Sequence, residues 1–427
     1  RDGSSRFGPQ TRWGTFPSLS GAWIISNEKF MESNKAFNML KIRAGWGVTG
    51  QQDGIGDYAY IGDYFPGALT AQYAFGGQWF PVLRPSGFDA NLKWETTSSF
   101  NAGLDFGIKN DRFSGSIDIY RRDTRDLLAV VPVPAGSNFT NQILTNVGSM
   151  RNEGIELTAR YGIIAKKDLQ LNFSANASYN VNTVLKLSQV EDPSSPGVLV
   201  GGIAGGTGST IPVHQVGFPT FSFLVYQQQY DANGSPIEIG AANPAGGVYT
   251  ELDAFVDLNG DGVINIDDRY VFPQAAPMWF LGAAFDFTYK KWFASLSMRT
   301  ELGGYIYNNI HSNNGTFEAI NGTQGFLNNL SSLYFIDQFQ FTTERQLLSD
   351  HYIERADFLR LDYINVGYDF GRLKRTNDLV GFRAGVTVSN LFVLTNYKGL
   401  DPEVFGGIDN NIYPRPRVFT LNLTFNF

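Results

Sequence analysis

The sequence predicts an all-β chain, an antiparallel transmembrane β-barrel with long extracellular loops, on three observations. The first is the C-terminus, where Phe419, Leu421, Leu423, Phe425 and Phe427 alternate with Thr420, Asn422, Thr424 and Asn426. Period-two patterning puts all apolar side chains on one face of a strand and all polar ones on the other, as a barrel that is oily outside and wet inside requires. The second is recurrence. Leu171, Phe173, Ala175, Ala177, Tyr179 and Val181 alternate with amides and hydroxyls, and the theme returns in Phe113–Tyr120, Ser99–Lys109, Leu281–Tyr289 and Leu40–Thr49. The third is composition: 15% aromatic, with 35 Phe, 20 Tyr and 47 Gly, suits strands, turns and interfacial girdles. Mean hydropathy is −0.17, and no run of about 18 apolar residues occurs, as expected when only every second side chain meets lipid.

In chain order, strands are expected near 18–26, 38–49, 92–109, 112–131, 142–161, 169–188, 219–229, 279–289, 291–301, 352–370, 380–396 and 417–427, with further candidates at 244–256 and 268–273. Lys109-Asn110-Asp111, Tyr289-Lys290-Lys291 and Ile164 to Asp168 are short links, whereas 50–90, 190–218, 230–277 and 302–350 are long and rich in Gly, Asn, Pro and aromatics. Tight turns at one end and long loops at the other are the asymmetry of bacterial barrels. A spanning strand uses about 9–11 residues, so about 12–14 strands leave much of the chain in loops. No repeat and no compositional break divides residues 1–427, which are read as one domain. Arg1 to Gly8 lacks a positive n-region followed by an apolar stretch; it reads as a hairpin already under way, which places the native start upstream.

Charge and motifs exclude several functions. A net charge of −7 argues against a nucleic-acid partner. The absence of cysteine gives no disulfide framework and fits passage through a periplasm. No enzyme is expected: His214, His311 and His351 are far apart and lack a nucleophile motif. The Gly201 to Gly208 run lacks the Lys-Ser/Thr ending of a phosphate loop and reads as a flexible loop.

One motif carries inorganic chemistry. Asp257, Asn259 and Asp261 offer side-chain oxygens at loop positions one, three and five, followed by Gly262, the Val263 carbonyl, the apolar Ile264 and Asp268 at position twelve. That is the spacing of an EF-hand calcium loop, with Asp in place of the usual Glu. A structural calcium that staples an outer loop is one reading, and an Asp/Asn/Gly turn cluster held by its own hydrogen bonds is the other. Trp79, near Tyr73, Phe75 and Phe80, is the candidate cargo contact, with loop packing as its alternative. Arg121, Arg122, Asp123, Arg125 and Asp126 read as solvated rim.

Ordered motifs then run through the chain: Arg1 to Gly8, Arg12 to Ser18, Gly45 to Gln51, Leu92 to Thr97, Asn152 to Leu157, Asp257 to Arg269, Phe358 to Leu361, Asn390 to Phe392, Tyr397 to Glu403 and Tyr413 to Arg417. In these the sequence resembles the C-terminal barrel portion of the SusC/RagA family of TonB-dependent outer-membrane transporters. The resemblance implies a 22-stranded barrel, an N-terminal plug with a TonB box, and a SusD-like surface lipoprotein acting as a lid. It further implies TonB-driven import of an oligosaccharide or peptide across the bacterial outer membrane, with lipid and lipopolysaccharide around the wall. Plug, TonB box and first strands are then expected upstream of Arg1, on the same polypeptide or another chain. The rival readings are a soluble secreted β-sandwich carbohydrate-binding module, and a passive porin or barrel-anchored adhesin.

Overall fold

The computed structural model describes residues 1–427 apart from 35, 69, 135, 189–195, 204–208, 274, 321–328 and 373–378, and the side chain of Pro132. Its main feature is an 11-stranded sheet. In chain order the strands are β1 (Ser18–Ile24), β2 (Phe37–Gln51), β3 (Glu95–Ile108), β4 (Phe113–Pro132), β5 (Gln142–Lys166), β6 (Leu169–Lys186), β7 (Trp279–Tyr289), β8 (Trp292–Leu302), β9 (Phe358–Arg372), β10 (Gly381–Thr395) and β11 (Val418–Asn426). Every strand pairs antiparallel with its neighbours in sequence, so the sheet is one continuous meander.

Register turns the period-two pattern into a surface. Tyr161, Phe173, Phe285, Leu296, Ile364, Val388 and Phe419 stand opposite one another across seven consecutive strands. Trp23, Ile42, Leu104, Ile117, Leu157, Ala177 and Leu281 form a second such row. A one-residue slip anywhere would turn a strand's oily set to the other face, so the alternation fixes the pairing. Among the described residues no second protein layer covers the face: Phe419 and Leu421 are 71% and 68% exposed, and Ile42, Ile117, Leu157 and Tyr161 are exposed too. Towards the short turns, ring contacts link Trp292, Tyr368, Phe370, Phe382 and Phe425 at 4.8–5.0 Å, an aromatic girdle at headgroup depth. On β5 the band runs from Ile155 to Ile164, about the 9–11 residues a tilted strand needs to cross a bilayer. Above it, Asp123 bridges Arg121 and Arg151, the charged rim the sequence suggests.

The ends of the sheet differ as expected. Lys109, Asn110 and Asp111 turn β3 into β4 with positive φ, and Lys290 does the same between β7 and β8. At the other end the described parts of 187–278, 303–357 and 396–417 fold together. Val198–Leu199, Pro212–His214, Ser222–Tyr226 and Arg269–Phe272 make a 4-stranded sheet, while Tyr305–Asn308, Ile353–Arg355 and Ile408–Asp409 make a 3-stranded one. Around these lies the main apolar core of the described residues, including Ile211, Phe223, Val225, Phe255, Ile264, Tyr307, Phe339 and Tyr352.

The strands expected at 219–229 and 268–273 therefore exist but belong to this loop assembly, and the wall holds 11 strands, not 12–14. All five positions of Ser222–Tyr226 are buried, so it never faces lipid. The 244–256 candidate holds a four-residue helix, Glu251–Ala254, capped by Thr250 and Asp253. The strand expected at 352–370 is broken after Arg355 and resumes as β9 at Phe358.

Candidate functional site

At the depth of the apolar belt, the opposite face of the wall carries charge. Arg43 on β2 binds Asp105 on β3 at 3.2 Å and Asp118 on β4 at 2.6 Å. Gly103 lies between them on β3, and a Cβ there would run into Asp118 and Arg43, so the ion pair needs glycine. Further along, Arg160, Asn176, Arg299, Glu301 and Asp362 line a hollow of about 660 Å³ on the same face. Arg299 binds Asp362 at 2.8 Å and Glu403, from the 396–417 loop, at 2.5 Å. Such a surface can offer donors and acceptors to a polar solute, as a conduit must.

Motifs scattered in sequence meet at two nodes. At the first, Phe7 and Phe16 pack on Trp94 with ring centres at 5.1 and 5.4 Å; the Trp94 indole donates to Arg12 O, and Thr11 Oγ1 donates to Leu92 O. The start of the chain is the expected hairpin, Asp2–Gly3 against Trp13–Gly14. At the second node Arg360 is 2% exposed. Its guanidinium donates to Asn390 Oδ1 and Asp401 Oδ1, both at 2.6 Å, and lies 2.9 Å from Glu403 Oε2. Arg415 also reaches Glu403, and Asn390 donates to Arg415 O. A buried cation is tolerable only when surrounded in this way. The node ties the 396–417 loop to β9 and β10.

The proposed calcium loop lies in the loop assembly. Its position-eight residue, Ile264, is buried in the core and Val263 is exposed. Arg345 donates to Ile264 O from two nitrogens. Asp257 accepts from Gly260 N and Gly262 N, Asn259 Oδ1 from Asp261 N, and Asp261 Oδ1 from Val263 N. Asp268 is fully buried and accepts from Leu258 N, Asn259 N and Asn265 N. Burial alone would raise its carboxyl, but these bonds outweigh burial and hold it below the usual range. The donors are of the oxygen type calcium takes, but in the structure Asp257, Asp261 and Asp268 are each occupied by backbone N–H groups of the loop itself, the arrangement of the turn cluster.

Trp79 sits in a hairpin of Gln72–Phe75 and Gln78–Pro81, and is 69% exposed while Tyr73 and Phe80 stack at 5.5 Å. Of the Gly201 to Gly208 run, residues 204–208 lie outside those described. His214 stands alone, its Nδ1 accepting from Phe221 N and its imidazole held below its ordinary range by burial. His311 and His351 meet across Asp337. Sequence reasoning missed that meeting because nothing in their spacing announces it.

Comparison with known proteins agrees with this architecture. A family model described as TonB dependent receptor-like, beta-barrel matches residues 1–267. The TonB-dependent receptor SusC of Bacteroides thetaiotaomicron is 40% identical across the whole chain, and the TonB-dependent receptor P39 of Formosa agariphila is 29% identical. The chain spans 41% and 44% of those receptors, less than half of either. The RagAB peptide transporter structure superposes with a TM-score of 0.77 at 24% identity, over 100% of this chain and 45% of that one, a likeness of fold. Meander, belt and family match agree: the chain belongs to the TonB-dependent receptor-like β-barrel family of the bacterial outer membrane.

Proposed function

We propose that this chain forms the wall and mouth of a TonB-dependent outer-membrane importer of a large nutrient, an oligosaccharide or a peptide, working with a SusD-like surface lipoprotein. The observation that carries the reading is the two-faced sheet, with in-register apolar rows outside and the Arg43 and Arg299 ion-pair networks on the face that would line the conduit. A soluble β-sandwich would bury its apolar face under a second sheet; here that face is open. Among the described residues β1 and β11 each pair on one side only. Unpaired strand edges are not tolerated in hydrocarbon, so this reading has further strands closing the wall and a plug gating the passage in the rest of the receptor. Cargo first meets the loop assembly and exposed aromatics such as Trp79, and passage follows a population shift in lid and plug driven by the TonB machinery. Asp257, Asn259, Asp261, Val263 and Asp268 would hold a calcium that stiffens the mouth.

The reading is tested in cells making the full receptor, by uptake of labelled oligosaccharides and peptides with and without TonB. Loss of uptake without TonB supports it, and undiminished uptake means a passive porin. Identical gel mobility with and without boiling would remove the barrel itself. Chelating calcium is expected to speed proteolysis between Asp257 and Asp268 and to leave heat-modifiable mobility intact.

A further inference from the structure

The loop between β8 and β9 contains a second cluster of metal-ligating side chains, in which nitrogen takes part. His311 lies on the helix Asn309–Asn314, Asp337 ends the helix Tyr334–Asp337, and His351 lies in the turn Asp350–Tyr352. One ligand atom of each falls within 4.8 Å of the other two. Asp337 Oδ2 is 2.5 Å from His311 Nε2 and 2.8 Å from His351 Nε2. His311 is 1% exposed. Although its Nε2 is close to Asp337, it lies off the line of a hydrogen bond, and among the described residues neither ring nitrogen of His311 has a hydrogen-bond partner.

A buried imidazole without an aligned hydrogen bond is costly, and the groups beside His311 Nε2 are a carboxylate and another imidazole. We propose that His311, Asp337 and His351 bind a divalent first-row transition metal, zinc fitting best, as a staple of this loop. Two imidazoles and one carboxylate match the ligand preferences of zinc and disfavour calcium, which takes oxygen. The surroundings are those of a built site. Tyr230 Oη is 3.1 Å from His351 Nδ1, and Glu354 Oε1 lies 3.9 Å from His311 Nδ1 while accepting from Asn308 Nδ2. The Tyr230 hydroxyl thus orients the His351 ring from behind, while Glu354 places a carboxylate near His311 without a hydrogen bond to it. One dication is balanced by the carboxylates of Asp337 and Glu354. Phe339 and Tyr352 pack edge-on against His351, and Tyr352 likewise against His311, flanking the cluster with apolar rings, and a water would complete the tetrahedron around the three protein ligands. The metal would join three separate pieces of one loop, and the inference stands independently of what the receptor imports.

The test uses the full-length receptor in detergent, prepared without a polyhistidine tag, stripped with a chelator and exposed to Zn²⁺ or Co²⁺ alone. About one zinc per chain should survive gel filtration, and Co²⁺ should give the visible bands of a tetrahedral site with nitrogen ligands. Zinc should slow proteolysis of residues 303–357. Asp337→Asn and His351→Gln should abolish retention, and Glu354→Gln should weaken binding by roughly 10–100-fold. Should a variant fail to fold, the Co²⁺ spectrum of the unaltered protein still decides. The proposal is overturned if the heat-modifiable wild-type receptor retains less than about a tenth of a zinc per chain, if Co²⁺ stays octahedral, or if Asp337→Asn retains zinc.

Discussion

The strands Val418–Asn426 and Ser222–Tyr226 are built from similar residues and end in opposite surroundings. Every position of the first is exposed and every position of the second is buried. The first alternates Phe and Leu with Thr and Asn, and its oily row joins a surface with no protein over it. The second reads Ser-Phe-Leu-Val-Tyr without a polar row, and packs into the core shared by the long loops. One chain therefore contains two kinds of β-structure: a wall whose apolar side chains need a solvent of lipid, and a mouth with the ordinary dry core of a soluble domain. Wall strands hold together through ladders and register. The mouth holds together through buried rings and a few desolvated ion pairs.

That contrast can be broken or sharpened by substitution in the full-length receptor. The largest effect is expected at Phe223, which is fully buried. Phe223→Ala should cost the mouth about 3–5 kcal/mol through lost transfer and a cavity, seen as accelerated proteolysis of 187–278 with heat-modifiable mobility retained. An equal loss from Phe419→Ala, whose ring has no protein against its outer side, would erase the distinction. Removing the buried guanidinium by Arg360→Met strips the buried Asp401 of its cation, while Glu403 keeps Arg299 and Arg415, and should also cost about 3–5 kcal/mol, read as a lower denaturant midpoint and release of the 396–417 loop. On the oily face, Leu421→Lys should destabilise the wall by about 2–4 kcal/mol in bilayers, as expected near the midplane; an unchanged midpoint would mean that this row does not touch hydrocarbon.

A gentler probe is alkaline pH. Burial, together with hydrogen bonds to Asp350 and Asp409, pushes the Tyr270 and Tyr397 phenols well above their ordinary value, and burial does the same to Tyr307. A folded-state pKa raised above the unfolded one gives stability that is complete below about pH 10 and lost as pH rises beyond it. Tyrosinate absorbance and protease sensitivity should therefore rise together at high pH as the mouth opens, before heat-modifiable mobility is lost. The smallest effect is expected from Arg383→Ala, which removes a half-exposed pair with Asp369 at 2.9 Å and should change the midpoint by less than about 1 kcal/mol.

The wall was legible because alternation is local. Leu171 to Val181 announces its two faces residue by residue, and the structure pairs that stretch with β5 and β7 as the pattern asks. The strand at 219–229 was legible as a strand but not as part of the mouth, since a short apolar run reads the same in a wall and in a core. The Asp257 to Asp268 loop was visible because its donors follow one another at fixed spacing. The histidines, by contrast, offered no sign of a meeting.

The amino-acid order by itself determined that this protein is a sheet with one oily and one wet face, turned tightly at one end and looped at the other, because side-chain direction in a strand depends only on position parity. Only the tertiary structure decided which strands enter the wall, which motifs gather around Arg360, and that His311, Asp337 and His351 share one buried point. Those outcomes depend on where long loops return in space, and the packing of the shared core, not any local period, sets that return.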